Sequence, residues 1–183
     1  MRVERTFAFV DLSGFTNYTA EHGDDAVARV LGDFRTITRR LSSDRGVRVA
    51  KWLGDGCMVV SLDRDGMIAF ALDLEREASA ACDPLSVRIG MATGLALLFE
   101  GDDYIGSAVN LASRLCDAAG PGEILVPAEQ TLELPAGVTE TPHGVIELRG
   151  FPTAVTVACL SGSAIVQGRN DTGELWTRSP FVT

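Results

Sequence analysis

Apolar side chains fall along this chain in two rhythms. Residues 6–10 alternate as Thr-Phe-Ala-Phe-Val and predict a short strand that ends at Asp11. Gly14-Phe15-Thr16 opens a turn and a short helix. Asp24 and Asp25 then precede Val27, Val30, Leu31, Phe34, Ile37 and Leu41, a 3.6-residue repeat that predicts an amphipathic helix with acids at its positive end. Residues 47–53 and 57–62 read as two strands around Gly54-Asp55-Gly56, a hairpin with an aspartate at its tip. Met67, Phe70, Ala71, Leu74 and Ala78 mark a second helix. Residues 86–92 and 95–99 predict two more strands, 100–106 a polar loop, and 107–119 a helix stopped by Gly120-Pro121-Gly122. Strand-like pieces at 123–126, 144–148 and 153–160 close the pattern.

The order β-α-β-β-α-β followed by an αβ extension predicts an α+β fold. Its core is a ferredoxin-like split βαβ, with a partly antiparallel sheet and helices on one face. Residues 1–162 are expected to form one domain, and 163–183 a polar, disordered tail.

Composition narrows the function. The 183 residues are 46% hydrophobic and 22% charged, ordinary for a globular protein. No apolar run approaches the ~20 residues of a membrane span. The N-terminus runs straight into a strand without a signal-peptide pattern, so a cytoplasmic location is expected. A net charge of -9 argues against a nucleic-acid polymer as partner. A polyanionic ligand would need metal ions and a few placed cations. Of 16 basic residues only Lys51 is lysine. The four cysteines are widely spaced, which disfavours zinc and fits reduced thiols. His22 and His143 fall in loop-like stretches.

Several residues then carry candidate chemistry. Asp11 ends the first strand and Asp55 tips the hairpin beside it, so the topology lets both carboxylates converge as a hard-oxygen site for Mg²⁺ or Mn²⁺. After Asp11, Leu12-Ser-Gly-Phe15-Thr16 places a glycine before a helix start, where backbone N–H groups suit phosphate oxygens. Asn110 and Arg114 are four apart on one helix and share a face with Ser107 and Asp117, an arrangement able to hold a ribose and clamp a phosphate. Taken singly, each has an ordinary reading: a strand-end acid, a turn acid, a solvated helix face. Lys51 and Asp103 are unremarkable alone.

Together they are distinctive. Phe9-Val-Asp11-Leu-Ser-Gly-Phe-Thr16, Lys51-Trp-Leu-Gly-Asp55-Gly and Asp103-Tyr-Ile-Gly-Ser-Ala-Val-Asn110-Leu-Ala-Ser-Arg114 resemble, in order and spacing, the catalytic domain of class III nucleotide cyclases. The resemblance runs on through Gly120-Pro-Gly-Glu-Ile-Leu-Val126 to Leu148-Arg-Gly-Phe151 and covers roughly residues 5–160. It implies that Asp11 and Asp55 bind two divalent metal ions, Mg²⁺ or Mn²⁺, with the Leu12 backbone carbonyl in their shell. It implies that Lys51 and Asp103 read the adenine edge, Asn110 orients the ribose and Arg114 stabilises the α-phosphate. It also implies a homodimer whose sites take the two aspartates from one chain and the other four side chains from its partner. The expected activity is conversion of ATP to 3′,5′-cyclic AMP and pyrophosphate. A guanylate or promiscuous purine cyclase is the alternative enzyme, and a weakly catalytic nucleotide-binding or regulatory module the non-enzymatic one. The Gly-Gly-Asp-Glu-Phe signature of diguanylate cyclases is absent.

Overall fold

The computed structural model describes residues 1–99 and 103–165. Of the expected loop 100–106, residues 100–102 lie outside the described residues, as does 166–183 of the expected tail. The elements are β1 (Arg2–Ser13), α1 (Phe15–Arg45), β2 (Arg48–Leu53), β3 (Gly56–Ser61), α2 (Arg64–Ala81), β4 (Ser86–Phe99), β5 (Asp103–Ile105), α3 (Ser107–Ala118), β6 (Ile124–Pro127), a 3₁₀ turn (Ala128–Gln130), β7 (Val138–Ile146) and β8 (Val155–Gly162). The α+β class and the βαββαβ core are as expected.

One sheet runs β2-β3-β1-β4-β6-β8-β7, with β5 paired to β4. β1 is central and antiparallel to both neighbours. β4 and β6 are parallel, while β6–β8 and β7–β8 are antiparallel. The period-2 alternation of β1 divides its side chains between two cores. Ala8, Val10 and Leu12 pack with Val30, Phe34, Leu41, Met67, Phe70 and Leu74 of α1 and α2. Phe7 packs on the opposite face with Ala108, Val109 and Ala112 of α3. Helices therefore cover both faces, which corrects the expectation of one. The two core helices do share a face; α3, from the extension, takes the other because the apolar residues 108, 109, 112, 115 and 116 form its buried stripe.

Other differences have local causes. α1 and the preceding short helix are continuous except at Gly23, whose φ of 74° and ψ of 176° break the helix just before Asp24. His22 thus lies on a helix, stacked on Tyr18, and His143 lies in β7. Residues 86–99 form one strand rather than two because β1 pairs with it without interruption from Ser13↔Ser86 to Arg2↔Leu97. β5 falls within the expected loop; its three residues are too short for a periodic signal. Arg45 at the end of α1 pairs with the buried Asp73 of α2 at 2.6 Å and fixes those helices together.

α3 lies so close to the sheet that Gly90 has no room for a side chain. A Cβ there would sit 2.0 Å from the Cys116 nitrogen and 2.3 Å from the Ala112 oxygen. Gly90→Ala is therefore expected to cost about 2–3 kcal/mol and to lower Tm by roughly 4–10 °C. Gly32→Ala, on the open side of α1 with nothing within 4 Å, is the control and should be neutral or stabilising. Thermal unfolding of the two variants checks this; equal Tm values would contradict the close approach.

Candidate active site

Asp11 continues the row of β1 residues that face α3. Its register partners are Gly56 on β3 and Arg88 on β4. Gly56 must be glycine, since a Cβ there would lie 2.3 Å from the Val10 carbonyl oxygen and 3.2 Å from Asp11 Oδ1. That close approach places the Asp55 turn directly beside Asp11. Gly54 and Asp55 form the two-residue connection between β2 and β3, and Gly54 has φ of 74°, the positive value that a tight hairpin needs at its first turn position. Arg35 of α1 supports the tip: its Nη2 donates to the Gly54 carbonyl at 3.2 Å, and its guanidinium lies 5.1 Å from the Trp52 ring centroid.

The two carboxylates feel one another. Burial, and then the charge of Asp11, push the Asp55 carboxyl above the ordinary carboxylate range, against its backbone hydrogen bond and the Arg88 charge. Arg88 donates to Asp11 Oδ2 from Nε at 2.9 Å and from Nη2 at 2.5 Å. Its Nη1 reaches the Asp117 carbonyl at 3.5 Å. The sequence reading missed Arg88. The signal was present: in Val87-Arg88-Ile89 the flanking residues are buried under α1 and α2, so strand alternation turns Arg88 to the other face.

The remaining candidates lie on α3, β1, β2, β5 and at the start of α1. Arg114 pairs with Asp117 at 2.8 Å one turn along α3. Asn110 is exposed on the same helix. On α3, Leu115 is buried and Ala118 is exposed. Leu12 has a buried side chain, so only its backbone can serve a ligand. Phe15 packs partly against the core, Thr16 is exposed, and α1 begins at Gly14 with no side-chain cap on its N-terminus. Lys51 of β2 and Asp103 of β5 form an ion pair, each about half exposed. β5 is tied down beside it, where the Arg48 guanidinium donates to the Tyr104 hydroxyl at 3.2 Å and Tyr104 packs edge-on to Phe7 at 5.3 Å. The Cys116 thiol, near Asp11, is pushed up to about 12 by burial and then by that carboxylate, so it stays protonated and is no nucleophile.

The donor chemistry fits a divalent cation. Asp11 on β1 and Asp55 in the adjoining hairpin turn offer hard carboxylate oxygens, with more negative charge than Arg88 alone balances. Among the described residues no third His, Cys, Asp or Glu joins them. Such a site leaves coordination positions for water and for the oxygens of a bound phosphate.

The family model described as the adenylate and guanylate cyclase catalytic domain matches residues 3–162. This chain belongs to the class III nucleotide cyclase catalytic domains. The cyclase domain is 36% identical over 147 residues to an uncharacterized protein of Mycobacterium tuberculosis, across 80% of this chain and 38% of that protein. It is 32% identical over 126 residues to an adenylate cyclase of Streptomyces coelicolor, across 68% of this chain and 33% of that enzyme. The chain thus spans little more than a third of the length of these relatives. Its fold superposes on the adenylyl cyclase CyaB of P. aeruginosa with a TM-score of 0.74 and 25% identity, covering 94% of this chain and 98% of that one. It also superposes on the guanylate cyclase domain of RhGC from Catenaria anguillulae in complex with GTP, with a TM-score of 0.76 and 18% identity, covering 89% and 99%. Among the described residues no helix is long and apolar enough to cross a membrane.

Asp55 yields a pH prediction. Its folded carboxyl holds a proton more tightly than the unfolded chain does, so stability is lost as pH rises from the ordinary carboxylate value through the raised one. In metal-free buffer at neutral pH, Asp55→Asn should be more stable than the parent. Solvent screening limits the gain to about 0.5 kcal/mol, or ~1–2 °C in Tm. The gain should vanish below the ordinary carboxylate range. Chelator-treated samples melted across pH check this, and a less stable variant at neutral pH would contradict it.

Proposed function

We propose that this domain is an adenylate cyclase, converting ATP to 3′,5′-cyclic AMP and pyrophosphate with two divalent cations at a site shared between two copies of the chain. The observation that carries the adenine assignment is the Lys51–Asp103 ion pair. It presents one donor and one acceptor side by side, which matches N1 and the exocyclic amino group of adenine. Guanine offers the reverse pattern on that edge. The relatives named as adenylate cyclases support the same reading.

The reaction joins the ribose 3′-oxygen to the α-phosphorus and breaks the bond from that phosphorus to the β-phosphate oxygen. The 3′-hydroxyl proton is lost and pyrophosphate leaves. Positioning and charge stabilisation carry most of the rate in such a transfer. Asp11 and Asp55, with the Leu12 carbonyl, would hold the metal ions. The chemistry supplied there on binding is Lewis-acid stabilisation of phosphate charge and a lower pKa for the attacking hydroxyl. Lys51 and Asp103 fix the base, Asn110 the ribose, and Arg114 faces the charge that develops on the α-phosphate. The uncapped start of α1 at Phe15 and Thr16 directs backbone N–H groups toward phosphate oxygens.

A second copy is the natural complement. Leu95, Leu97, Phe99 and Ile105 on the β4–β5 hairpin are between 39% and 60% exposed, and Leu97 pairs directly with Ile105. Contiguous apolar surface of this kind marks an interaction site.

Three outcomes test the proposal. Incubated with Mn²⁺ and either nucleotide, the protein should yield cyclic AMP from ATP in clear preference to cyclic GMP from GTP, by chromatography. Lys51→Glu with Asp103→Ser should shift the ATP/GTP ratio at least about tenfold toward GTP, because an unmatched polar group in the base pocket costs ~1–3 kcal/mol. An unchanged ratio would remove these residues from base reading. For the shared site, Asp11→Ala and Arg114→Ala should each be nearly inactive. An equal, fully exchanged mixture should recover about a quarter of parental activity per chain, since half the dimers are mixed and each has one intact site. Exchange without recovery would show that both residues act in one chain.

A further inference from the structure

The Arg88–Asp11 pair has no role in the scheme above, yet it occupies one oxygen of a proposed metal ligand. We propose that Arg88 is a built-in counter-ion for Asp11 that competes with an incoming divalent cation for this carboxylate, so that metal affinity in the absence of nucleotide is lowered by the guanidinium. The inference rests on the reading of Asp11 and Asp55 as the metal-binding pair.

The geometry divides the Asp11 carboxylate in two. Oδ2 accepts both the Nε and the Nη2 hydrogen bonds, at 2.9 and 2.5 Å. Oδ1 lies on the side of Gly56, toward the Asp55 turn. A cation lodged between Asp11 and Asp55 can use Oδ1 with Arg88 in place. Closer coordination, or a second cation sharing Asp11, needs Oδ2. Arg88 is also placed to stay there. Its backbone is fixed opposite Asp11 by the β1–β4 register, its carbonyl accepts from the Cys116 thiol at 3.6 Å, and its Nη1 reaches the Asp117 carbonyl on α3. Both side chains of the pair are only a quarter to a third exposed, at 26% and 29%. There a charge-assisted, doubly donated contact is stronger than an exposed ion pair. Burial works against the Arg88 cation, but the hydrogen bond and charge of Asp11 outweigh it and keep the guanidinium charged. The site is therefore partly filled by the protein's own cation, with Asp55 left under-compensated.

The test is Mn²⁺ binding without nucleotide, read from the electron paramagnetic resonance signal of free Mn²⁺. The proteins are the parent, Arg88→Met, Arg88→Gln and each of these combined with Asp11→Asn. Arg88→Met should bind Mn²⁺ about tenfold more tightly than the parent. Arg88→Gln, which keeps a hydrogen-bond donor but no charge, should tighten binding similarly and serves alone if the Met variant does not fold. Without metal, the folded Arg88 variants should melt below the parent and recover more on adding Mn²⁺. Unchanged or weaker Mn²⁺ binding in the folded Arg88 variants overturns the counter-ion role, provided Asp11→Asn still weakens binding. If Asp11→Asn leaves Mn²⁺ binding untouched in every background, the metal reading itself fails, and the counter-ion proposal with it.

Discussion

The register of β1 between β3 and β4 is the constraint on which the site depends. A one-residue slip would turn the row Ala8, Val10, Leu12 out of the core and drive Asp11 into it. The slip is blocked on both edges, because β1 is paired along six positions with β3 and along twelve with β4. The same register sets Gly56 and Arg88 on either side of Asp11. The close packing of α3 over Gly90 then lays the helix bearing Asn110 and Arg114 on the face that Asp11 occupies. Carboxylates, arginines and glycines that are scattered in sequence become one surface through a single strand alignment.

That surface is internally charge-balanced. Lys51 pairs with Asp103, Arg88 with Asp11, and Arg114 with Asp117. Asp55 is left without such a partner, and burial, then the Asp11 charge, raises its carboxyl. On the proposed reading, binding a metal–nucleotide complex is an exchange of ion pairs rather than the filling of an empty field. Exchange gives little net Coulomb energy, since each new contact replaces an old one. It does favour ligands whose charges fall where the protein's own partners stood, a basis for specificity in a chain whose net charge of -9 repels free nucleotide.

Much of this was legible in the sequence, for physical reasons. The helices and the β2–β3 hairpin announce themselves by period and by Gly-Asp-Gly, and the βαββαβ order follows from them. Asp11 and Asp55 could be placed together because adjacent strands carry them. What escaped depended on pairing rather than on local pattern. β5 exists because β4 runs on past its short pairing with β6 and offers an edge, not because Asp103-Tyr-Ile105 has a strand rhythm. The position of α3 on the second face depends on Gly90, whose meaning appears only when a helix lies above it. Arg88 reads as an ordinary exposed strand residue until its partner across the sheet is known to be a carboxylate.

The same topology separates what the family fold can decide from what it cannot. This fold superposes equally well on a solved adenylyl cyclase and a solved guanylate cyclase domain, so the fold does not choose the base. The residues proposed to hold metal and phosphate lie on the central strand, the adjoining hairpin turn and α3, elements anchored by two cores. The residues proposed to read the base lie on edge strand β2, beside a register shift between Val49 and Lys51, and on the three-residue β5. Both are half exposed. Exchanging them disturbs little packing, whereas changing Gly56, Gly90 or the β1 alignment disturbs the whole sheet. On the proposed reading, phosphate chemistry is therefore bound to the stability of the fold, and base choice sits at its margin, where a pair of substitutions can alter it at low structural cost.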